Sequence, residues 1–243
     1  MTTDLVSDIR ARAEAVRSRI AAACARAGRD PAAVRLVAVT KTFPVEVVRA
    51  GIEAGLTDFG ENRVQELEEK AGAVPGEVGG GAVRWHLIGP LQRNKAKRAV
   101  ELADAFHALD SERLARELDR RASQAGRVLP CFVQVNVSGE DTKSGFAPED
   151  VHAFLARLGG FEHLRIVGLM TLAAPVETED ALETVVRPQF RRLRALAETY
   201  DASANPHVAL DRLSMGMSGD FEVAVEEGAT DVRVGSLLFG ARG

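Results

Sequence analysis

Aromatic residues are scarce: they make up 5% of the 243 positions, with one Trp and one Tyr. A core of stacked rings is therefore excluded, and burial must rest on Val, Leu, Ile and Ala. Only two cysteines occur, Cys24 and Cys131. They lie far apart and without metal-ligand spacing, which excludes a disulfide framework and a thiolate zinc site. They read as two reduced, packed thiols of a cytoplasmic protein. No apolar run is long enough to span a bilayer, and the start Met-Thr-Thr-Asp-Leu lacks a basic-then-apolar secretion signal. Excess positive charge is missing too. The formal net charge is -4 and the pI about 5.8, which does not suit a general nucleic-acid binder. The Gly-rich signatures GxGxxG and GxxxxGK[ST] are both absent, so no dinucleotide or P-loop fingerprint is present.

What remains is an ordinary soluble composition, 46% hydrophobic and 27% charged, with a clear alternation. From Asp4 to Gly28 the chain is Ala/Arg-rich, and Leu5, Ile9, Ala13, Val16, Ile20 and Ala23 recur at helical spacing before the Gly28 stop. Short apolar runs then begin near Val34, Thr57, Val83, Ala105, Pro130, Leu164, Val208 and Asp231. Amphipathic stretches follow all but the last, among them Val45 to Ala54, Arg63 to Ala71, Ser111 to Ala125, Pro148 to Leu158 and Thr178 to Thr199. Strand-helix alternation means parallel pairing with helices on the outside. Eight such units at this length predict a (β/α)8 TIM barrel preceded by an extra helix. A doubly wound open sheet competes, but the turn after its first strand would normally be Gly-rich, and here it reads Thr-Lys-Thr-Phe-Pro. The Gly76 to Gly81 patch is expected to be a loop. No linker divides the chain, so residues 1–243 are expected to form a single domain.

In such a barrel the loops after the strands build the active face. Lys41 ends the first apolar run, Val-Arg-Leu-Val-Ala-Val-Thr-Lys from Val34. Partial burial there disfavours its charged form and makes a nucleophile able to condense with an aldehyde. The seventh candidate strand ends in Leu-Ser-Met-Gly-Met-Ser-Gly-Asp from Leu213, and the eighth in Arg-Val-Gly-Ser from Arg233. Gly and Ser in these two places suit a phosphate, though each piece alone is also an ordinary tight loop. Arg233 shares its strand face with Gly235, pointing either at a ligand or outward to a helix carboxylate. His86 is either a hydrogen-bonded core residue or a catalyst, Met170 packing or a ligand contact, and Glu61 a base or a helix-capping charge. The basic run Gln-Arg-Asn-Lys-Ala-Lys-Arg from Gln92 reads as a solvated helix face. Lys143 is either a surface lysine or a second amine on the active rim. No metal-ligand constellation is present.

These motifs resemble the pyridoxal-phosphate homeostasis protein family. The matching pieces are Val-Ala-Val-Thr-Lys-Thr from Val37, Phe-Gly-Glu-Asn from Phe59, Trp-His-Leu-Ile-Gly-Pro-Leu-Gln from Trp85, Gln-Val-Asn-Val from Gln134 and Lys-Ser-Gly from Lys143. Gly-Leu-Met-Thr from Gly168, Leu-Ser-Met-Gly-Met-Ser from Leu213 and Arg-Val-Gly-Ser-Leu-Leu-Phe-Gly from Arg233 follow. They run in order over nearly the whole chain. The resemblance implies a barrel like the alanine racemase N-terminal domain, with pyridoxal phosphate (PLP) held as an imine on Lys41. It places Asn62 and Met170 against the cofactor, Ser214, Gly235 and Ser236 on its phosphate with Met215 and Gly216 alongside, Arg233 at the pyridine nitrogen and His86 nearby. One departure is Arg63, where the family usually has Tyr. A helix start at Arg63 would leave the cofactor little affected.

The expected role is non-enzymatic: to buffer PLP and supply it to PLP-dependent apo-enzymes. A racemase needs an acid/base on each face of the reacting carbon. The sequence ends soon after the eighth unit, without a domain to bring the second one, and its lone Tyr200 follows a long helix. Arg233 would also keep the ring nitrogen unprotonated. A PLP enzyme with weak amino-acid racemase activity, and an aldolase-type lysine barrel acting on a sugar phosphate, are the alternatives. Nothing demands more than a monomer.

Overall fold

A computed structural model describes residues 2–74, 76–78, 81–140, 144–201, 203 and 205–240. Eight parallel strands close into a barrel: β1 (Arg35–Val39), β2 (Asp58–Glu61), β3 (Arg84–Leu87), β4 (Ala105–Leu109), β5 (Leu129–Gln134), β6 (Leu164–Met170), β7 (Val208–Ser214) and β8 (Asp231–Val234). Closure comes from β1, which pairs with β8 on one side and β2 on the other. All eight strands begin within one residue of the positions expected from the apolar runs. The strand-helix period therefore set the topology.

The helices are α1 (Thr2–Arg26), α2 (Val45–Glu53), α3 (Val64–Ala73), α4 (Ala96–Leu102), α5 (Glu112–Gln124), α6 (Val151–Arg157), α7 (Arg187–Glu198), α8 (Phe221–Glu226) and α9 (Ser236–Phe239). The extra helix α1 buries Ile9, Ala13, Val16, Ile20 and Ala23 and packs against α2, α8 and α9. That is the stripe the 3.6-residue spacing marks out. Two expectations need correction. The stretch from Thr178 to Thr199 is not one regular helix, because a π turn over Leu182–Val186 precedes α7. Pro188 lies at the start of α7 and has no N–H for the ladder. The Gly76 to Gly81 patch is not a plain loop either: Glu77 pairs with Ala82 and Val78 with Gly81 in a small antiparallel hairpin.

Register decides what faces inward. Paired residues of parallel neighbours share a face. Arg35 pairs with Asp231 and Val37 with Arg233, while Asp58 pairs with Arg84 and Gly60 with His86. These residues line the interior, and Phe59, Trp85 and Glu61 point out toward the helices. The large buried rings Phe59, Phe106, Phe132, Phe154, Phe190 and Phe221 accompany an aliphatic core. Among the described residues no helix is long and apolar enough to cross a membrane.

Candidate functional site

Val39 and Lys41 are alternate residues of one chain, so both point into the C-terminal mouth of the barrel. A cavity of about 610 Å³ opens there, walled by Lys41 and Asn62 on one side and by Met217 to Gly219, Arg233, Gly235 and Ser236 on the other. Lys41 is half-buried. The turn that carries it is held from behind. Thr42 has a φ of 67°, a conformation costly for a non-glycine residue and kept only by its surroundings. Glu66 Oε2 accepts the Thr42 N–H at 2.6 Å. The Lys70 ammonium, 3% exposed, donates to the Thr40 carbonyl and to Glu61 Oε1, each at 2.8 Å. Thr40 Oγ1 donates to the same Glu61 oxygen at 2.6 Å. Burial raises the Glu61 carboxyl, and the Lys70 and Thr40 hydrogen bonds oppose that rise. Glu61 is thus neither a base in the cavity nor a helix cap. It faces α3 and anchors the Lys41 turn.

Arg233 is 4% exposed and reaches the cavity floor. Its Nη1 donates to Ser214 Oγ at 2.6 Å and its Nη2 to the Thr171 carbonyl at 2.8 Å. Burial lowers its pKa to about 10, against the opposing charges of Asp220 and Asp231, so it stays a cation at neutral pH. The two Ser/Gly loops are tied together where Ser218 Oγ accepts the Gly235 N–H at 3.3 Å. A Cβ at Gly235 would stand 3.1 Å from the Val39 carbonyl oxygen, so glycine keeps this wall thin enough for a ligand to approach the backbone.

Of the residues expected from the sequence, Lys41, Asn62, Arg233, Gly235 and Ser236 come together around the cavity. His86, Met170, Ser214, Met215 and Gly216 do not line it. β7 runs through Ser214, so this serine still belongs to the barrel wall, pointing inward below the cavity floor. There it joins His107 Nδ1 at 2.8 Å. His86 lies in the interior between His107 (2.9 Å) and Asp58 (3.0 Å). Met170 and Met215 are buried in the core. Gly216, at φ 92°, makes the turn that lifts the next three residues to the rim, and its carbonyl accepts the Arg233 N–H at 2.9 Å.

Sequence reasoning missed Met217, Ser218 and Gly219. They lie inside the Ser/Gly stretch it singled out, and only the depth of β7 showed which part reaches the cavity. Gln134 and Ser144 were missed as lining residues as well, while Asn136, in the Gln-Val-Asn-Val piece, does line the cavity. Lys143 lies outside the described residues. Arg63 occupies the N-cap position of α3, exposed and away from the lining. The basic run from Gln92 forms a short turn and α4, with Arg98 bridging Glu68 and Glu101, a solvated face as expected.

The chemistry available follows from this donor set. Among the described residues, Lys41 and Arg233 are the only ionisable side chains lining the cavity. They sit with a rim of hydroxyls and small residues and a floor of amides. That fits an anionic aldehyde with an aromatic ring: amine for the aldehyde, Ser/Gly loops for the anion, guanidinium for a ring acceptor.

Comparisons with known proteins agree with this geometry. The family "alanine racemase, N-terminal domain" matches residues 12–243. A pyridoxal phosphate homeostasis protein of Aquifex aeolicus is 42% identical over 227 residues, covering 93% of this chain and 95% of the relative. One of Escherichia coli is 36% identical over 237 residues, 98% of each chain. The structure of PipY of Synechococcus elongatus with PLP bound superposes with a TM-score of 0.79 at 37% identity, covering 96% of this chain and 100% of that one. With a closed eight-stranded barrel, a lysine at the mouth of β1 and this extent of similarity, the chain belongs to the pyridoxal phosphate homeostasis protein family, on the alanine racemase N-terminal fold.

Proposed function

We propose that this chain, as one barrel domain, binds PLP in the Lys41 cavity and holds it for supply to PLP-dependent apo-enzymes, without turning over amino acids. When bound, PLP brings an aldehyde that the Lys41 amine captures as an imine, and a ring that can withdraw electrons. Lys41 anchors the aldehyde end. Ser218 and Gly219, with Gly235 and Ser236 across the rim, offer hydroxyl and backbone donors to the phosphate. Arg233 donates toward the ring nitrogen and gives up no proton there, so that nitrogen stays a poor sink for carbanion charge. The relatives' names and the PLP-bound PipY support this ligand. The cytoplasm suits two buried free cysteines.

One observation carries the non-enzymatic reading. Moving a proton across a reacting carbon needs an acid/base group on each face, and the described cavity lining holds two ionisable side chains, Lys41 and Arg233, of which the guanidinium does not give up its proton. The chain's only tyrosine, Tyr200, does not line the cavity and packs against His152 at 5.6 Å. The test incubates PLP-loaded protein with an apo-aminotransferase, and separately with L- and D-alanine. Recovery of aminotransferase activity without racemisation is expected. Sustained racemisation abolished by Lys41→Ala would establish the enzyme instead.

A further inference from the structure

Beneath the Lys41 cavity a line of polar side chains crosses the barrel interior. It runs from Arg233 Nη1 to Ser214 Oγ (2.6 Å), then to His107 Nδ1 (2.8 Å). His107 Nε2 meets His86 Nδ1 (2.9 Å), and His86 Nε2 meets Asp58 Oδ1 (3.0 Å). We propose that Asp58, His86, His107 and Ser214 are positioning residues for Arg233, joined as a hydrogen-bonded chain in which every proton points from the cavity toward the opposite mouth. What Arg233 meets in the cavity rests on the PLP reading; the chain itself does not.

The direction follows from the two ends. A guanidinium only donates and a carboxylate only accepts. Ser214 Oγ accepts a hydrogen bond from Arg233 Nη1 and keeps its own hydroxyl proton, for which His107 Nδ1 is the acceptor within reach. That nitrogen must then be a lone pair, and the His107 proton sits on Nε2, donating to His86 Nδ1. His86 in turn carries its proton on Nε2 and donates to Asp58. Four contacts are served by four protons, with both imidazoles neutral. A protonated His107 would leave the Ser214 hydroxyl without its acceptor and set a second cation beside Arg233.

The surroundings agree. Burial first, with the neighbouring His86 ring and the cations Arg233, Arg212 and Arg35, holds His107 well below the ordinary histidine value. Burial opposes ionisation of Asp58, but hydrogen bonds from His86 and Arg84 outweigh it and keep the carboxyl far below its usual range. Arg35 also pairs with Asp58, at 3.3 Å, while Asp220 and Asp231 face Arg233. His107 is further fixed by stacking on Phe132, with centroids 4.2 Å apart. Arg233 therefore has one nitrogen committed to Ser214 and another to Thr171, and its remaining donors are aimed by a chain rooted at the far end of the barrel. Loss of any link releases Nη1.

The experiment has a cofactor-free arm and a cofactor arm. In long-range proton–nitrogen correlation spectra of the protein without PLP, His86 and His107 are each expected to carry a proton on Nε2, with His107 neutral at about pH 7. A proton on Nδ1 of either ring, or titration of His107 near the ordinary histidine value, would overturn the chain whether or not PLP binds. In the cofactor arm, His107→Leu is compared with His107→Gln, since glutamine can accept from Ser214 and donate to His86. PLP affinity is expected to fall about tenfold in the leucine variant and to return within about threefold of wild type with glutamine. The ring-nitrogen resonance of labelled PLP should shift only in the former. Should His107→Leu not fold, Ser214→Ala takes its place, with the same expected fall. A folded leucine or alanine variant with wild-type affinity and resonance would refute the positioning role.

Discussion

The two mouths of the barrel use charge in opposite ways. At the N-terminal mouth Arg35, Arg84 and Arg212 lie on Asp58 and Asp231. Arg84 Nη2 sits 2.7 Å from Asp58, Arg212 grips both oxygens of Asp231, and Arg35 reaches both carboxylates, at 3.3 and 3.7 Å. At the C-terminal mouth the described cavity lining holds one amine and one guanidinium and no carboxylate. The N-terminal mouth even holds the larger cavity, about 800 Å³ with Arg17, Arg35, Arg84 and Arg212 in its walls. Its charges are largely spent on one another, so it closes and stiffens the barrel. The smaller cavity is lined by an amine, a guanidinium, hydroxyls and amides. Size is therefore a poor guide to function in this molecule, and the state of the charges is a better one.

Removing a carboxylate from the N-terminal mouth should give the largest effect. Asp231→Ala leaves partly exposed guanidiniums against a single buried carboxylate, and a loss of about 2–3 kcal/mol in unfolding free energy is expected, measured by urea denaturation. PLP affinity should change far less. A barrel of unchanged stability would erase the contrast between the mouths.

Acid should reveal the interior next. His107 has a folded pKa lowered by burial, so the unfolded chain binds more protons once pH drops below the unfolded value. Stability is full above about pH 6.5 and should fall by about 1.4 kcal/mol per pH unit below it. Asp58, with its folded pKa lowered, contributes stability above about pH 4 that is lost on further acidification. His107→Gln should abolish the first slope and keep the second, and chemical denaturation at successive pH values reads both.

Smaller effects should separate the cavity from the scaffold. Gly235→Val puts a side chain 3.1 Å or less from the Val39 carbonyl and should weaken PLP by about tenfold in an absorbance titration. Ser218→Ala removes one hydroxyl and should cost about 1 kcal/mol of PLP binding with little change in stability. If Ser214→Ala and Ser218→Ala proved interchangeable in both readouts, the distinction between wall serine and rim serine would fail.

How much of this was legible in the sequence depends on the length scale. The strand starts, the extra helix and the placement of Lys41 all follow from periodicity, a signal repeated along each element. Gly235 and Ser236 were found because they follow the last strand, and Asn62 through the family resemblance. Depth was not legible. Ser214 and Ser218 occur in one Ser/Gly stretch, and only the length of β7 and the Gly216 turn decide which one reaches a ligand. Partners across the barrel were hidden too. His86, His107 and Asp58 come from three strands, and their meeting depends on register. Lys70 gave no sign of being the buried counter-charge of Glu61, because one lysine in a charged helix looks like any solvated one.

Reduction of the PLP-treated protein with borohydride, followed by peptide mass spectrometry, tests the central claim most directly. A single pyridoxyl adduct on Lys41, absent from Lys41→Ala, is the expected result. No adduct, or label spread over surface lysines with Lys41 unmodified, would contradict it.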